Sequence, residues 1–130
     1  MATAEKIEGY MINLGVTFQQ INESTWLIND AEKGLEQVVV AAEEPLVIFR
    51  VKVMPIPSKR REEFFERLLR LNASDLLHGA YGLSDNYVVL IQTLEYATMD
   101  LEEFQASLEA IGLALTQHYP VLSDYRDKDK

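Results

Sequence analysis

Few side chains in this sequence could do acid-base or metal chemistry, and those few are scattered. The two histidines, His78 and His118, are 40 residues apart, and neither lies in a metal-binding spacing such as H-E-x-x-H. His78 precedes a glycine at the end of a predicted helix, where it can bond the last carbonyls, and His118 lies in the predicted last turn of another, where the helix dipole favours a cation. For both we expect a structural role over a catalytic or ligand role. The chain has no cysteine, which excludes a thiol nucleophile, a cysteine-bound zinc and a disulfide framework.

Adjacent carboxylates occur at Glu43-Glu44, Glu62-Glu63 and Glu102-Glu103. Neighbouring helix positions diverge by about 100°, so the last two pairs do not converge on one point. Glu43-Glu44 precedes a proline in a turn. The sequence has no phosphate-binding glycine loop and no G-x-S-x-G motif. We therefore expect no catalytic residue, no metal site and no cofactor, and we predict that the protein is not an enzyme.

The charges are unevenly distributed. The formal net charge is -9, but residues 50–70 contain seven basic and three acidic side chains, a local charge of +4 that leaves -13 for the rest. Five cations form a candidate basic patch: Arg50, Lys52, Lys59, Arg60 and Arg61. The positive charges of the last three lie at the N-terminus of the following helix, where the helix dipole disfavours cations. They form either a site for an anion or an acidic partner, or a loop-to-helix junction whose charge is balanced by nearby glutamates.

The overall acidity disfavours non-specific binding to nucleic acid or to anionic membranes. No aromatic residues are interleaved with the basic patch, which also argues against a nucleic-acid site. The N-terminus lacks a basic region followed by an apolar run, and no apolar run approaches the length of a membrane span. We expect a cytoplasmic protein with no membrane partner.

Two long amphipathic helices dominate the second half of the chain. The first follows Pro57 with Ser58 as its predicted N-cap, and its apolar residues recur with helical spacing at Phe64, Leu68 and Leu71. The second is predicted to begin at a capping box and to end at a proline. The capping box is Asp100 with Glu103, and the proline is Pro120.

The strand patterns come in two runs. Three strands are predicted before the Ser58 helix, at 25–29, 37–42 and 46–53, and two after it, at 80–83 and 87–94. A helix with Ile7 and Met11 on one side precedes them, and Val16 to Ile21 is ambiguous. The sequence thus predicts an α+β fold of helix, three strands, helix, two strands and helix around a largely antiparallel sheet. We expect a single domain over residues 1–123 and a frayed tail over 124–130.

The predicted sheet has apolar residues on both faces. On the face opposite the main core we expect four of them: Leu46, Ile48, Val89 and Ile91. Leaving them exposed forgoes about 1.5 to 3 kcal/mol each, on the order of 6 to 12 kcal/mol together, which rivals the stability of a domain. Either the helices divide between both faces, or a second copy or a client protein covers this surface together with Phe65 and Leu69 of the Ser58 helix.

The element order and the run Leu71-Asn72 … Leu76-Leu77-His78-Gly79-Ala80-Tyr81-Gly82-Leu83 resemble the YbjN family, which shares its fold with the class I chaperones of type III secretion. The resemblance covers nearly the whole chain. It implies a homodimer, commonly with the second helix and a neighbouring strand at the interface, and no enzymatic activity. The secretion chaperones hold a client segment in apolar grooves, whereas YbjN-like proteins have no well-defined client, and nothing in the sequence indicates which of the two branches applies.

The resulting expectation is a homodimeric interaction module that binds a protein client. The candidate interface residues are Leu46, Ile48, Phe65, Leu69, Val89 and Ile91. The alternative is a small regulator that binds an anionic ligand or nucleic acid through the basic patch. This patch departs from the evenly acidic surface of a typical secretion chaperone.

Overall fold

The computed structural model describes residues 2–76 and 78–127. The chain forms a single α+β domain, as predicted. The helices are α1 (Ala2–Leu14), α2 (Arg61–Ser74) and α3 (Leu101–Ser123). The strands are β1 (Phe18–Asn22), β2 (Thr25–Asp30), β3 (Leu35–Glu43), β4 (Leu46–Pro55), β5 (Ala80–Ser84) and β6 (Tyr87–Glu95). They form one antiparallel sheet in the order β1-β2-β3-β4-β6-β5.

The prediction of three strands before α2 was wrong by one strand, because part of the ambiguous segment forms β1. Gln19 of β1 pairs with Leu27 of β2, and Gln20 pairs with Trp26. Most side chains of β1 are exposed, so it lacks the apolar alternation that marks a half-buried strand. Leu77, and residues 128–130 of the predicted tail, lie outside the described residues.

All three helices pack against one face of the sheet. The ring of Phe104 in α3 lies 5.2 Å from Phe49 of β4 and 5.4 Å from Tyr10 of α1. Phe64 of α2 belongs to the same buried cluster. We refer to this side of the sheet as the core face. Its fully buried strand residues include Trp26, Ile28, Val38, Val40, Val47, Phe49, Val88 and Leu90.

The predicted N-cap of α2 was wrong. The helix begins at Arg61 after Arg60, whose φ is 56° and whose side chain does not cap the helix. Ser58 instead donates from its backbone N and its Oγ to Oδ1 of Asp127, both at 3.0 Å. A carboxylate that is distant in sequence therefore competes for the hydroxyl that local rules assign to the helix end.

The C-terminal helix begins as predicted but ends later. The capping box of Asp100 and Glu103 is present. Pro120 lies inside α3, which continues to Ser123. A proline inside a helix costs about 3 kcal/mol. The extra turn buries Leu122 completely and leads to the buried Tyr125, and burying such side chains contributes about 1.5 to 3 kcal/mol each.

The first residues of the predicted tail pack against the domain. The ring of Tyr125 lies 5.2 Å from the ring of Phe64, and its hydroxyl donates to Oε2 of Glu63 at 2.9 Å. Asp127 accepts the two bonds from Ser58. The segment from Asp124 to Asp127 therefore holds the loop before α2 and the first turn of that helix.

The backbones of α3 and the 3-10 helix at Ala31–Lys33 meet at Gly112. A Cβ atom added to this glycine would lie 2.5 Å from the carbonyl oxygen of Lys33, too close for any side chain. Gly34 lies against the same turn of α3, with φ at +73°. The two backbones can come this close only because position 112 of α3 carries no side chain.

We predict that Gly112→Ala destabilises the domain by about 1 to 3 kcal/mol, because the added methyl group forces backbone to move. The matched control is Gly9→Ala in α1, where no atom lies within 4 Å of the added Cβ. Because alanine is the better helix former, the control should stabilise by about 0.5 to 1 kcal/mol. Urea denaturation of both variants measures the difference, and equal midpoints would contradict the close approach.

Candidate functional site

The face of the sheet opposite the helices carries a continuous set of apolar side chains. We refer to it as the outer face. Its residues alternate along the strands with the core residues and lie directly opposite one another, for example Leu27 opposite Val39 and Ala41 opposite Ile48. None of them belongs to the core cluster. The apolar members are Leu27, Val39, Ala41, Leu46, Ile48, Val89 and Ile91.

The structure places the predicted interface residues in two separate locations. Leu46, Ile48, Val89 and Ile91 lie on the outer face, with Leu46 and Ile48 on β4 and the other two on β6. Leu46, Ile48 and Ile91 are half-buried by their neighbours, and no helix of the described chain packs over them. Of the two alternatives for this face, the one in which the protein's own helices cover both sides is therefore wrong.

Val89 differs from the other three, because it is only 2% exposed. Lys52 lies directly opposite Val89 on β4, and its Nζ lies 4.5 Å from the ring centroid of Tyr87. The aliphatic part of Lys52 therefore passes beside Val89 on its way to that ring. Val89 itself offers little surface to a partner.

The other two predicted interface residues form a ridge on α2. Phe65 is half-buried, with the Arg61 guanidinium 5.4 Å from its ring centroid, and Leu69, one helical turn later, is 67% exposed. The buried face of α2 consists of Phe64, Leu68 and Leu71. The Phe65 and Leu69 ridge is thus a second apolar surface, separate from the outer face.

Three outer-face residues were missing from the sequence prediction: Leu27, Val39 and Ala41. All three lie in predicted strands whose other face is buried, so the alternation of β3 could have identified two of them. The signal is weak because β3 is apolar on both faces from Val38 to Ala42.

The predicted basic patch is divided between the sheet and the loop before α2. Arg50 and Lys52 project from the outer face. Arg60 instead forms a salt bridge of 3.1 Å with Glu63 and lies 4.3 Å from the ring centroid of Tyr125. Arg61 donates to the carbonyl of Pro57 at 3.3 Å, and Lys59 is exposed.

The salt bridge between Arg60 and Glu63 at the start of α2 is supported by groups of the same chain. Hydrogen bonds from Arg60 and from the Tyr125 hydroxyl lower the pKa of the Glu63 carboxyl. The bond to Glu63 in turn raises the pKa of Arg60. Arg60 is therefore already matched by an anion of its own chain, which weakens the case for an external anion at this position.

His118 lies in a buried polar cluster between α2, β5 and α3. Its Nδ1 lies 2.8 Å from the hydroxyl of Tyr81, and its Nε2 lies 3.4 Å from Oδ2 of Asp75. Because a carboxylate only accepts, Nε2 is the ring nitrogen that can donate toward Asp75, and in that neutral tautomer Nδ1 would accept from Tyr81. Burial raises the pKa of the Tyr81 phenol, and the charge of Asp75 raises it further, so this hydroxyl stays protonated.

His118 therefore links α3 to Tyr81 of β5 and to Asp75 just after α2. Its predicted place in the last turn of the C-terminal helix was wrong, because α3 continues to Ser123. His78 is exposed in the loop before β5, four residues beyond the last residue of α2. Within the described ranges, no three histidine, aspartate or glutamate side chains are grouped as metal ligands. No described helix is long and apolar enough to cross a membrane.

Comparison with protein families identifies the chain. The family model CesT_Tir_1 matches residues 1–128, almost the full length. The chain belongs to this type III chaperone family. No curated protein sequence matches it at a significant level. The family assignment agrees with the resemblance inferred from the sequence.

Solved structures share the fold of this CesT_Tir_1 family member at low sequence identity. A chain of the heterodimeric complex ExoU-SpcU from the type III secretion system of Pseudomonas aeruginosa aligns with a TM-score of 0.74 and 19% identity, over 91% of this chain and 98% of that one. YbjN from E. coli aligns with a TM-score of 0.65 and 16% identity, over 90% and 91% of the two chains. The Yersinia pestis type III secretion chaperone SycH, solved with a stable fragment of YscM2, aligns with a TM-score of 0.62 and 15% identity, over 88% of this chain and 97% of that one.

We predict that Tyr81→Phe lowers the free energy of unfolding by about 1 to 3 kcal/mol, because it removes the hydroxyl that pairs with Nδ1 of the buried His118. Tyr87→Phe is the control, since Tyr87 is 36% exposed and its ring contact with Lys52 is retained. Urea denaturation at neutral pH measures both. Equal stability of the two variants would show that the cluster contributes nothing.

Proposed function

We propose that this protein is a non-enzymatic, homodimeric interaction module that acts in the cytoplasm and holds a segment of a client protein against the outer face. The observation that carries the proposal is the row of half-buried apolar side chains across β2, β3, β4 and β6, which no helix of the described chain covers. Family membership supports the same function.

The outer face has the composition of a binding surface. Its centre holds Val39, Ala41, Ile48 and Ile91 on three adjacent strands, together with Arg50 between Val39 and Ile91. Completing the burial of a Val, Leu or Ile side chain contributes up to about 1.5 to 3 kcal/mol, and these side chains are already partly covered. A client that covers several of them therefore gains a useful fraction of its binding free energy from this region.

The structural neighbours support a protein partner. The Pseudomonas aeruginosa neighbour comes from a heterodimeric complex, and SycH was solved with a fragment of another protein. By analogy with these complexes, we propose that the partner of this chain is also a protein segment. The basic patch does not support the regulator alternative equally well, because its cations are divided and Arg60 is paired with Glu63.

The Phe65 and Leu69 ridge is the proposed surface for a second copy. Leu69 is among the most exposed large apolar side chains of the described chain, and it lies on a helix whose opposite side is anchored in the core. A two-fold axis beside α2 would bring the same ridge of two copies together, as in an isologous dimer. The outer face would then stay available for the client.

The client surface can be tested with short random peptides displayed on phage and selected on the wild-type protein. We expect enrichment of peptides with several apolar residues. Ile48→Asp should weaken their binding by roughly tenfold or more, because a buried apolar contact is replaced by a charge. Ile12→Asp on α1 is the control, since Ile12 is 69% exposed and lies away from the sheet. Failure to enrich any peptide would contradict the proposal.

The dimer surface is tested by sedimentation of Leu69→Asp. We expect the wild type to sediment as a dimer and the variant as a monomer, because two aspartates would face each other across the axis. Ile12→Asp again serves as the control, with a matched exposure and the same substitution. A wild-type monomer, or a Leu69→Asp variant that remains a dimer, would remove α2 from the interface.

A further inference from the structure

The outer face contains one feature that an apolar binding surface does not need, an arginine close to its centre. We infer that Arg50 selects client segments that place a carboxylate among apolar residues. This inference rests on the proposed function, because it specifies which protein segment the outer face accepts.

The neighbours of Arg50 are apolar on both sides. It lies directly opposite Val39 of β3 and Ile91 of β6, with Ile48 two positions before it on its own strand. Directly opposite residues on neighbouring strands have Cβ atoms about 4.5 to 5.5 Å apart. Any segment that covers these three apolar side chains therefore also covers the guanidinium of Arg50.

Arg50 has no anionic partner within the described part of the chain. It is exposed, and none of the ion pairs at Arg60, Arg70 and His118 involves it. The acidic residues of the outer face, Glu43 and Glu95, lie opposite Leu46, four residues along β4. Four strand residues span about 13 Å of backbone, and no described ion pair joins either carboxylate to Arg50.

Lys52, the other cation of this face, is in a different situation. Its ammonium group already lies over the ring of Tyr87, at the end of the sheet where β4 leads to α2. Arg50 is thus the cation that a bound segment must satisfy. Burying an unpaired guanidinium is costly, whereas a carboxylate can accept two parallel hydrogen bonds from it.

The chemistry of the partner follows from this arrangement. It is a protein segment with an aspartate or glutamate flanked by apolar side chains, which pack on Val39, Ile48 and Ile91 while the carboxylate pairs with Arg50. A segment with lysine or arginine at that position would place two cations together in a desolvated interface. Arg50 therefore determines which client sequences bind, while the apolar side chains of the outer face supply most of the contact area.

The test repeats the phage selection with random peptides on the wild type, on Arg50→Glu and on Arg67→Glu. Arg67 is an exposed cation on α2 and serves as the control. We expect acidic residues beside apolar ones to be enriched on the wild type and on Arg67→Glu, and basic residues to replace them on Arg50→Glu. Changing the enriched acid of one selected peptide to its amide should weaken binding to the wild type roughly thirtyfold or more.

The possible results separate this inference from the proposed function. Apolar peptides without any acidic preference, or the same acidic preference on Arg50→Glu, would overturn the role of Arg50 and leave the client surface intact. Failure to enrich any peptide would overturn both. Conversion of a dimer to a monomer by Arg50→Glu would show that a second copy covers the outer face, which also overturns the inference. Far-UV circular dichroism and urea midpoints equal to wild type establish that the variants fold.

Discussion

The fold depends on packing all three helices against one face of a six-stranded antiparallel sheet. The ring of Phe104 in α3 contacts Phe49 of β4 and Tyr10 of α1 within this packing. The helices are therefore used on this face and do not cover the opposite one. A sheet of this kind normally alternates apolar and polar residues so that its free face is polar. Here the free face keeps apolar residues on its central strands, and that departure underlies the proposed function.

The position of α2 is set by contacts at both of its ends. Near its start, Glu63 forms a salt bridge with Arg60 and accepts a hydrogen bond from the Tyr125 hydroxyl. Because Tyr125 lies in the segment after α3, that segment fixes the position of the first turn of α2. Just beyond its end, Asp75 approaches His118, which also contacts Tyr81 of β5. The orientation of the Phe65 and Leu69 ridge therefore depends on residues of α3 and of the segment that follows it. A second copy would meet a preformed surface instead of a mobile helix.

Local patterns predicted the elements whose signals are local. The capping box of α3 and the alternation of β4 each lie within a few residues, and both appear in the structure. Distant contacts explain most of the differences. Ser58 bonds to Asp127, 69 positions away, and α3 continues through Pro120 because Leu122 reaches the core. The outer face was predicted from four of its residues, but the separation of Arg60 from Arg50 required the three-dimensional course of the chain.

The two edges of the sheet are not equivalent. The side-chain amide of Asn72 in α2 donates to the carbonyl of Tyr81 at 3.2 Å and accepts from its backbone N at 2.8 Å, so it occupies the unpaired side of β5 as a further strand would. Open sheet edges are the usual templates for uncontrolled polymerisation. Pairing of another copy along β5 would have to displace Asn72 from Tyr81. A protein that carries an uncovered apolar face is thereby protected from one common route to aggregation.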